Sequence, residues 1–175
     1  NKYFEVKDGV IFDKDIKTLI YIPKGVTGKY TVPDTVTKIG SSSALNHISL
    51  TEVEISNNVI EIGERAFCGC ALLTKVTFLP TSKVETIGSE AFAQCTSLQQ
   101  ITLPASLNKL IEKKGEVLVF DGCTSLGAID VEAGSTRFKA VDGILYGLDE
   151  AGEIVELCFC PRGYSAHGGV LTVPA

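Results

Sequence analysis

What most restricts the fold of this chain is that it repeats itself. A shift of 25 residues lays IGERAFCGCALLTKVTF (Ile62 to Phe78) on IGSEAFAQCTSLQQITL (Ile87 to Leu103), with Ile, Gly, Ala, Phe, Cys and Leu in step. A shift of 23 carries the pattern back to IGSSSALNHISLTEVEI (Ile39 to Ile55), and a shift of 28 carries it forward to FDGCTSLGAIDV (Phe120 to Val131). A unit this short cannot bury its apolar side alone and must stack on its neighbours, which makes a solenoid. Four units follow, near residues 32–54, 55–77, 78–102 and 103–130.

The apolar positions within a unit say how each coil turns. Leu50, Val53 and Ile55 recur as Leu73, Val76 and Phe78, then as Leu98, Ile101 and Leu103, then as Leu126, Ile129 and Val131. The last two of each set alternate with polar residues, which predicts a strand with one buried face. The preceding Gly-x-x-Ala-Phe piece is long enough for one helical turn, and its Phe67 or Phe92 is expected to fill the coil interior, with Phe120 in that place in the last unit. In the first unit Leu45 is read in the Phe slot and His47 in the Cys slot, a departure that suits a terminal coil. Two extra residues near Thr81 and Ser82, and five near Glu112 to Leu118, fall between strands, and Glu112 to Glu116 is expected to protrude as a turn.

These motifs, AFCGC with LLTKVTF and AFAQC with SLQQITLP, resemble the BspA-type leucine-rich repeats of bacterial and protozoan surface proteins across residues 32–131. The resemblance implies a β-rich solenoid, a right-handed leucine-rich-repeat coil with short one-turn helical pieces, flanked by β-hairpin modules. Two segments are similar to the hairpin units interspersed in that family: FEVKDGVIFDKDIKTLIYIP (Phe4 to Pro23) and FKAVDGILYGLDEAGEIVELCFCP (Phe138 to Pro161). Asp8-Gly9 and Asp142-Gly143 are strong hairpin-turn dipeptides, and the second copy's four extra residues fit a turn around Gly147 to Glu153. A hairpin on each end of an open solenoid would cover its exposed end coil. The expected organisation is an N-terminal module over 1–31, four repeats over 32–131 and a C-terminal module over 132–175. Both modules lead to a Val-Pro step, Val32-Pro33 and Val173-Pro174, so a further repeat is expected after the second. The start at Asn1 suggests a processed or excised piece of a longer protein.

Charge and chemistry narrow the function classes. A net charge of −5, with no basic run longer than Lys113-Lys114, gives no footprint for nucleic acid. No apolar stretch reaches the roughly 20 residues that span a bilayer, so direct membrane insertion of this piece is not expected. Cys70, Cys95 and Cys123 share one repeat position and should stack as buried thiols rather than disulfides. Cys158 and Cys160 fall on Ile20 and Ile22 of the first module and read as apolar substitutes on one strand face. Neither Cys68-x-Cys70 nor Cys158-x-Cys160 has the spacing of a zinc site, and Asp13-Lys14-Asp15 lacks the Gly and distal Glu of a calcium loop. His47 and His167 lie in no catalytic signature. No metal, cofactor or catalytic residue is assigned, and an enzyme is not expected.

The candidate binding surface is the outward side of the concave sheet: Glu52, Glu54, Lys75, Thr77, Gln100, Thr102 and Asp130, beside Ala128, with Glu52 next to Lys75 on adjacent strands. Four strands of about four residues expose only on the order of 250 Å² of sheet, against about 800 Å² per partner in a standard interface. A tight contact would have to recruit the modules or a longer array. The resemblance implies a non-enzymatic adhesion module, extracellular or at the cell surface, whose partners are host extracellular or cell-surface proteins. The other reading is a rigid spacer that displays a further domain.

Overall fold

Each repeat supplies one long and one two-residue strand, and the residues between them set the corners of the coil. The computed structural model describes residues 2–111 and 118–161. In chain order its strands are β1 (Phe4–Lys7), β2 (Val10–Asp13), β3 (Thr18–Tyr21), β4 (Gly28–Thr31), β5 (Lys38–Ile39), β6 (Leu50–Ile55), β7 (Glu61–Ile62), β8 (Lys75–Phe78), β9 (Thr86–Ile87), β10 (Gln100–Leu103), β11 (Lys109–Leu110), β12 (Ala128–Val131), β13 (Phe138–Val141), β14 (Ile144–Leu148) and β15 (Ile154–Phe159). The expected turn at Glu112 to Glu116, the Val173-Pro174 step and His167 lie outside the described residues.

The short strands β5, β7, β9 and β11 stack in parallel, with Ile39, Ile62, Ile87 and Leu110 in register, and β3 of the first module joins their edge. A glycine follows three of them because the coils meet there backbone to backbone. A Cβ on Gly63 would lie 2.6 Å from the Ser41 nitrogen, and one on Gly88 would lie 2.5 Å from the Glu64 nitrogen. The long strands form the opposite side, β4-β6-β8 and β10-β12, all parallel.

The Gly-x-x-Ala-Phe pieces are not helical; no stretch of the described residues is. Arg65, Glu90 and Gln94 have positive φ, as do Ser42 and Asn46 in the first unit. A helical turn would direct its N–H groups along its own axis, whereas here alternate N–H groups cross to the next coil. Arg65, Phe67 and Gly69 donate to the carbonyls of Ser89, Ala91 and Ala93, while Ala66, Cys68 and Cys70 close local turns on Gly63, Arg65 and Phe67. Stacking thus replaces helix formation as the outlet for these buried backbone donors.

The core is a set of columns. Phe67 and Phe92 stack with centroids 5.4 Å apart, Phe92 and Phe120 at 5.9 Å, and Phe159 of the C-terminal module closes the row edge-on against Phe120 at 5.6 Å. Leu45 is not in this column: it is exposed, and Ala44 takes the slot, because the alignment that places Gly40 on Gly63 puts Ala44 on Phe67. Beside the rings run the thiols, all free. Cys70, Cys95 and Cys123 each donate to a carbonyl of the coil before, those of Ala44 (3.2 Å), Phe67 (3.3 Å) and Phe92 (3.0 Å). His47 occupies the Cys slot of the first coil and reaches Pro23 O at 2.9 Å in the same manner. Burial pushes the Cys70 thiol up to about 12, and the neighbouring Cys123 together with burial holds Cys95 above the ordinary range.

Both modules are three-stranded meanders. β1 and β2 join through Asp8 (φ 51°) and Gly9 (φ 80°), β13 and β14 through Asp142 (φ 51°) and Gly143 (φ 79°), the left-handed pair that a type I′ turn requires. The third strands are β3 and β15. Asp13 organises the following turn by accepting the Lys17 N–H at 2.7 Å. The Cys158 and Cys160 reading is corrected in part: Cys158 is half-buried against the core, but Cys160 is exposed where Ile22 is fully buried. Phe159, the counterpart of the exposed Tyr21, packs against the core instead.

Candidate binding surface

The long strands turn Val53, Val76, Ile101 and Ile129 inward, which leaves the intervening polar residues facing out. Parallel register then brings the candidates together across strands. Glu52 lies opposite Lys75, as expected, Glu54 opposite Thr77, Gln100 opposite Ala128 and Thr102 opposite Asp130.

The sheet has a strand beyond the four that the repeats predict. β4 pairs with β6, placing Lys29 opposite Glu52, Tyr30 opposite Val53 and Thr31 opposite Glu54. Lys29 Nζ donates to Glu54 Oε2 at 2.7 Å, and Thr31 Oγ1 donates to Glu54 Oε1 at 3.4 Å. The lysine holds the Glu54 carboxyl below its ordinary range, and Glu54 in turn raises Lys29. Tyr30, within the span 1–31 expected to form the N-terminal module, is a sheet residue whose half-buried phenol is pushed up to about 12 by burial. A signal for this strand was present. Tyr30, Val32 and Pro33 match Ile101, Leu103 and Pro104, but Gly28 stands opposite Leu50, so the leucine that marks the motif is missing, and the ladder shifts register at that point.

Three of the candidates are tied up by neighbours, two of them by each other. Glu54 is committed to Lys29, and Asp130 accepts a hydrogen bond from Gln100 Nε2. Lys75 forms no ion pair among the described residues, although its charge reaches Glu54. The hydrogen-bonded ladder breaks between β8 and β10, which lie side by side but belong to separate sheets. Over this break lies an open depression of about 740 Å³, lined by Glu52, Lys75, Gln100, Thr102 and Ala128 above a floor of Val76 and Ile101. Five outward residues of the sheet therefore meet at one place, while Glu54, Thr77 and Asp130 stand beside it. Its wall is low at Gly127 and Ala128, where the other strands carry Thr74-Lys75 and Gln99-Gln100.

Among the described residues no group of three or more His, Cys, Asp or Glu side chains is placed to hold a metal ion, and no helix is long and apolar enough to cross a membrane.

Comparison with known proteins follows the repeat pattern. The family described as the BspA type leucine-rich repeat region matches residues 26–140 in six copies, starting two residues before β4. No curated protein matches the sequence. Among solved structures, a leucine-rich repeat protein from Bacteroides capillosus is 26% identical with a TM-score of 0.56, over 75% of this chain and 95% of that one. The pneumococcal vaccine antigen PcpA is 20% identical with a TM-score of 0.62, over 93% of this chain and 57% of the antigen. A leucine-rich repeat protein from Eubacterium ventriosum is 16% identical with a TM-score of 0.50, over 93% of this chain and 51% of that one. The chain thus spans little more than half the length of these last two.

Proposed function

Since the chain belongs to the BspA-type leucine-rich repeat family, we propose that it is a non-enzymatic protein-binding module of a secreted or cell-surface protein, with a role in adhesion. The observation that supports this reading is the depression over the β8–β10 break, where among the described residues no ladder joins the two strands and Lys75, Glu52, Gln100 and Thr102 converge. Such a place offers a partner side-chain hydrogen bonds, with one unpaired cation to fix orientation. Five strands still present only on the order of 300 Å² of sheet. A standard contact would therefore draw in the modules, whose Tyr3, Phe4, Val6 and Tyr21 are exposed.

The spacer reading rests on a different observation. The outward sheet positions carry no Trp, Tyr or Arg, the residues that dominate interface energies, while the stacked Phe and Cys columns make the coil a continuous rod.

The test is a surface biosensor measurement of the chain against a panel of extracellular-matrix and plasma proteins, beside Lys75→Glu. Adhesion through the sheet predicts saturable binding that the reversal weakens by about tenfold, or ~1.4 kcal/mol. Binding indifferent to Lys75 would move the site to the modules, and no binding across the panel would favour the spacer.

A further inference from the structure

The two modules are homologous, yet each is packed on a different side. Phe138, the first strand residue of the C-terminal module, is 8% exposed, whereas its counterpart Phe4 is 44% exposed. The reverse holds at the third strand, where Leu19 of the N-terminal module is fully buried and its counterpart Leu157 is 48% exposed. The cause is the neighbour. The C-terminal module sits on the coil before it: Ile129 donates its N–H to Gly143 O at 2.9 Å, and a Cβ on Gly143 would lie 3.1 Å from Ala128 Cα and Cβ. The N-terminal module sits on the coil after it, with β3 paired in parallel to β5 through Thr18–Lys38 and Leu19–Ile39. Gly9, the counterpart of Gly143, has nothing within 4 Å of where a Cβ would be.

We infer that the module is a two-sided coupler of leucine-rich coils. Its first face, Phe4, Val6 and the Asp8-Gly9 turn in the N-terminal copy, seats the last long strand of a preceding coil. Its second face, the β15 edge with Leu157 in the C-terminal copy, pairs with the first short strand of a following coil. Among the described residues, each copy shows occupied the face that the other shows open, and the occupant in both cases is a leucine-rich coil adjacent in sequence. The chemistry asked of the occupant of the first face is specific: a small residue such as Ala128 under the glycine of the turn, followed by an N–H free to meet its carbonyl. The turn in turn must carry glycine, because a Cβ there would lie 3.1 Å from the Ala128 Cα and Cβ.

Thermal melts of variants test this. Gly9 and Gly143 share the same left-handed φ, so alanine strains both turns alike, and only Gly143→Ala also meets Ala128. In the chain itself the fall in Tm for Gly143→Ala should be at least twice that for Gly9→Ala. In a tandem chain that runs from residue 1 to Arg137 and then from Phe4 to the end, Gly9→Ala in the internal copy should lower Tm as much as Gly143→Ala. A second tandem, residues 1–161 followed by 24–175, places a coil after the C-terminal module, and Leu157→Ser there should become as damaging as Leu19→Ser. The inference is overturned if these shifts keep their single-chain size. Tandems that aggregate or melt in two separate transitions also overturn it, because seated modules would merge the arrays into one cooperative stack.

Discussion

Two sides of the same coil are built from the same repeat and behave in opposite ways. On the turn side the side chains are alike from coil to coil: Phe67 on Phe92 on Phe120, Cys70 beside Cys95 beside Cys123. On the outward side of the long strands each coil differs: Lys29, Glu52, Lys75, Gln100 and Ala128 occupy equivalent places across five strands. Stacking explains the contrast. An inward residue must fit its copies above and below at a fixed spacing, so one solution is reused. An outward residue meets solvent and only loosely its neighbours, so it is free to vary. Repetition thus marks what holds the solenoid together, and its loss marks the surface left for other uses.

The sharpest way to break this contrast is to empty one inward position. Phe92 is fully buried between two rings, so Phe92→Ala should cost about 3–5 kcal/mol, by lost burial plus the cavity that neighbouring coils cannot collapse into. Gln100→Ala on the outward side should change stability by no more than about 0.5 kcal/mol. Urea denaturation of the two variants measures both. Similar costs at the two positions would mean that the coils are not held mainly by their inner columns.

The sequence showed the inward side well because periodicity is a statement about packing. The strands at Val53, Val76, Ile101 and Ile129, the phenylalanine column from Phe67 onward and the thiol column all stand where the repeat placed them. What the pattern hid has local causes. Ala44 rather than Leu45 enters the ring column, because the register that sets Gly40 on Gly63 sets Ala44 on Phe67. The predicted helical turn gave way to positive-φ turns at Arg65 and Glu90, an outcome decided by hydrogen bonds to the next coil and not by local preference. β4 was concealed by Gly28, and with it Lys29, the partner that takes Glu54 out of play. The depression at β8–β10 has no sequence mark at all, because it arises from a missing ladder between strands whose own patterns are regular.

A gentler probe sharpens the same comparison by chemistry. Cys70, Cys95 and Cys123 are buried and donate to carbonyls; burial raises the pKa of Cys70, the Cys123 hydrogen bond with burial raises that of Cys95, and Cys123, which the Cys95 hydrogen bond lowers, is protected by its burial alone. Cys160 is exposed. Alkylation of the native protein at pH 8, followed by peptide mass spectrometry, should modify Cys160 first and leave the three column thiols unmodified until denaturant is added. Modification of Cys95 at the rate of Cys160 would show that the coils part readily in the native state.

The smallest effect is expected on the outward side, at the Lys29–Glu54 pair. Its hydrogen bond holds the Glu54 carboxyl below the ordinary value of 4.5 in the folded protein. The unfolded state then binds the proton more readily, so the contribution is fully present above that ordinary value and is lost as pH falls through the lower folded one. Lys29→Met should therefore lower Tm slightly at pH 7, and the difference from the unaltered chain should close as the solution is taken below pH 4.5. Added salt should shrink the same difference at neutral pH, because both side chains remain in contact with water. A gap in Tm that persists into acid would mean that Lys29 stabilises β4 through the packing of its alkyl stem on the sheet, and the outward side would then share in holding the coils together.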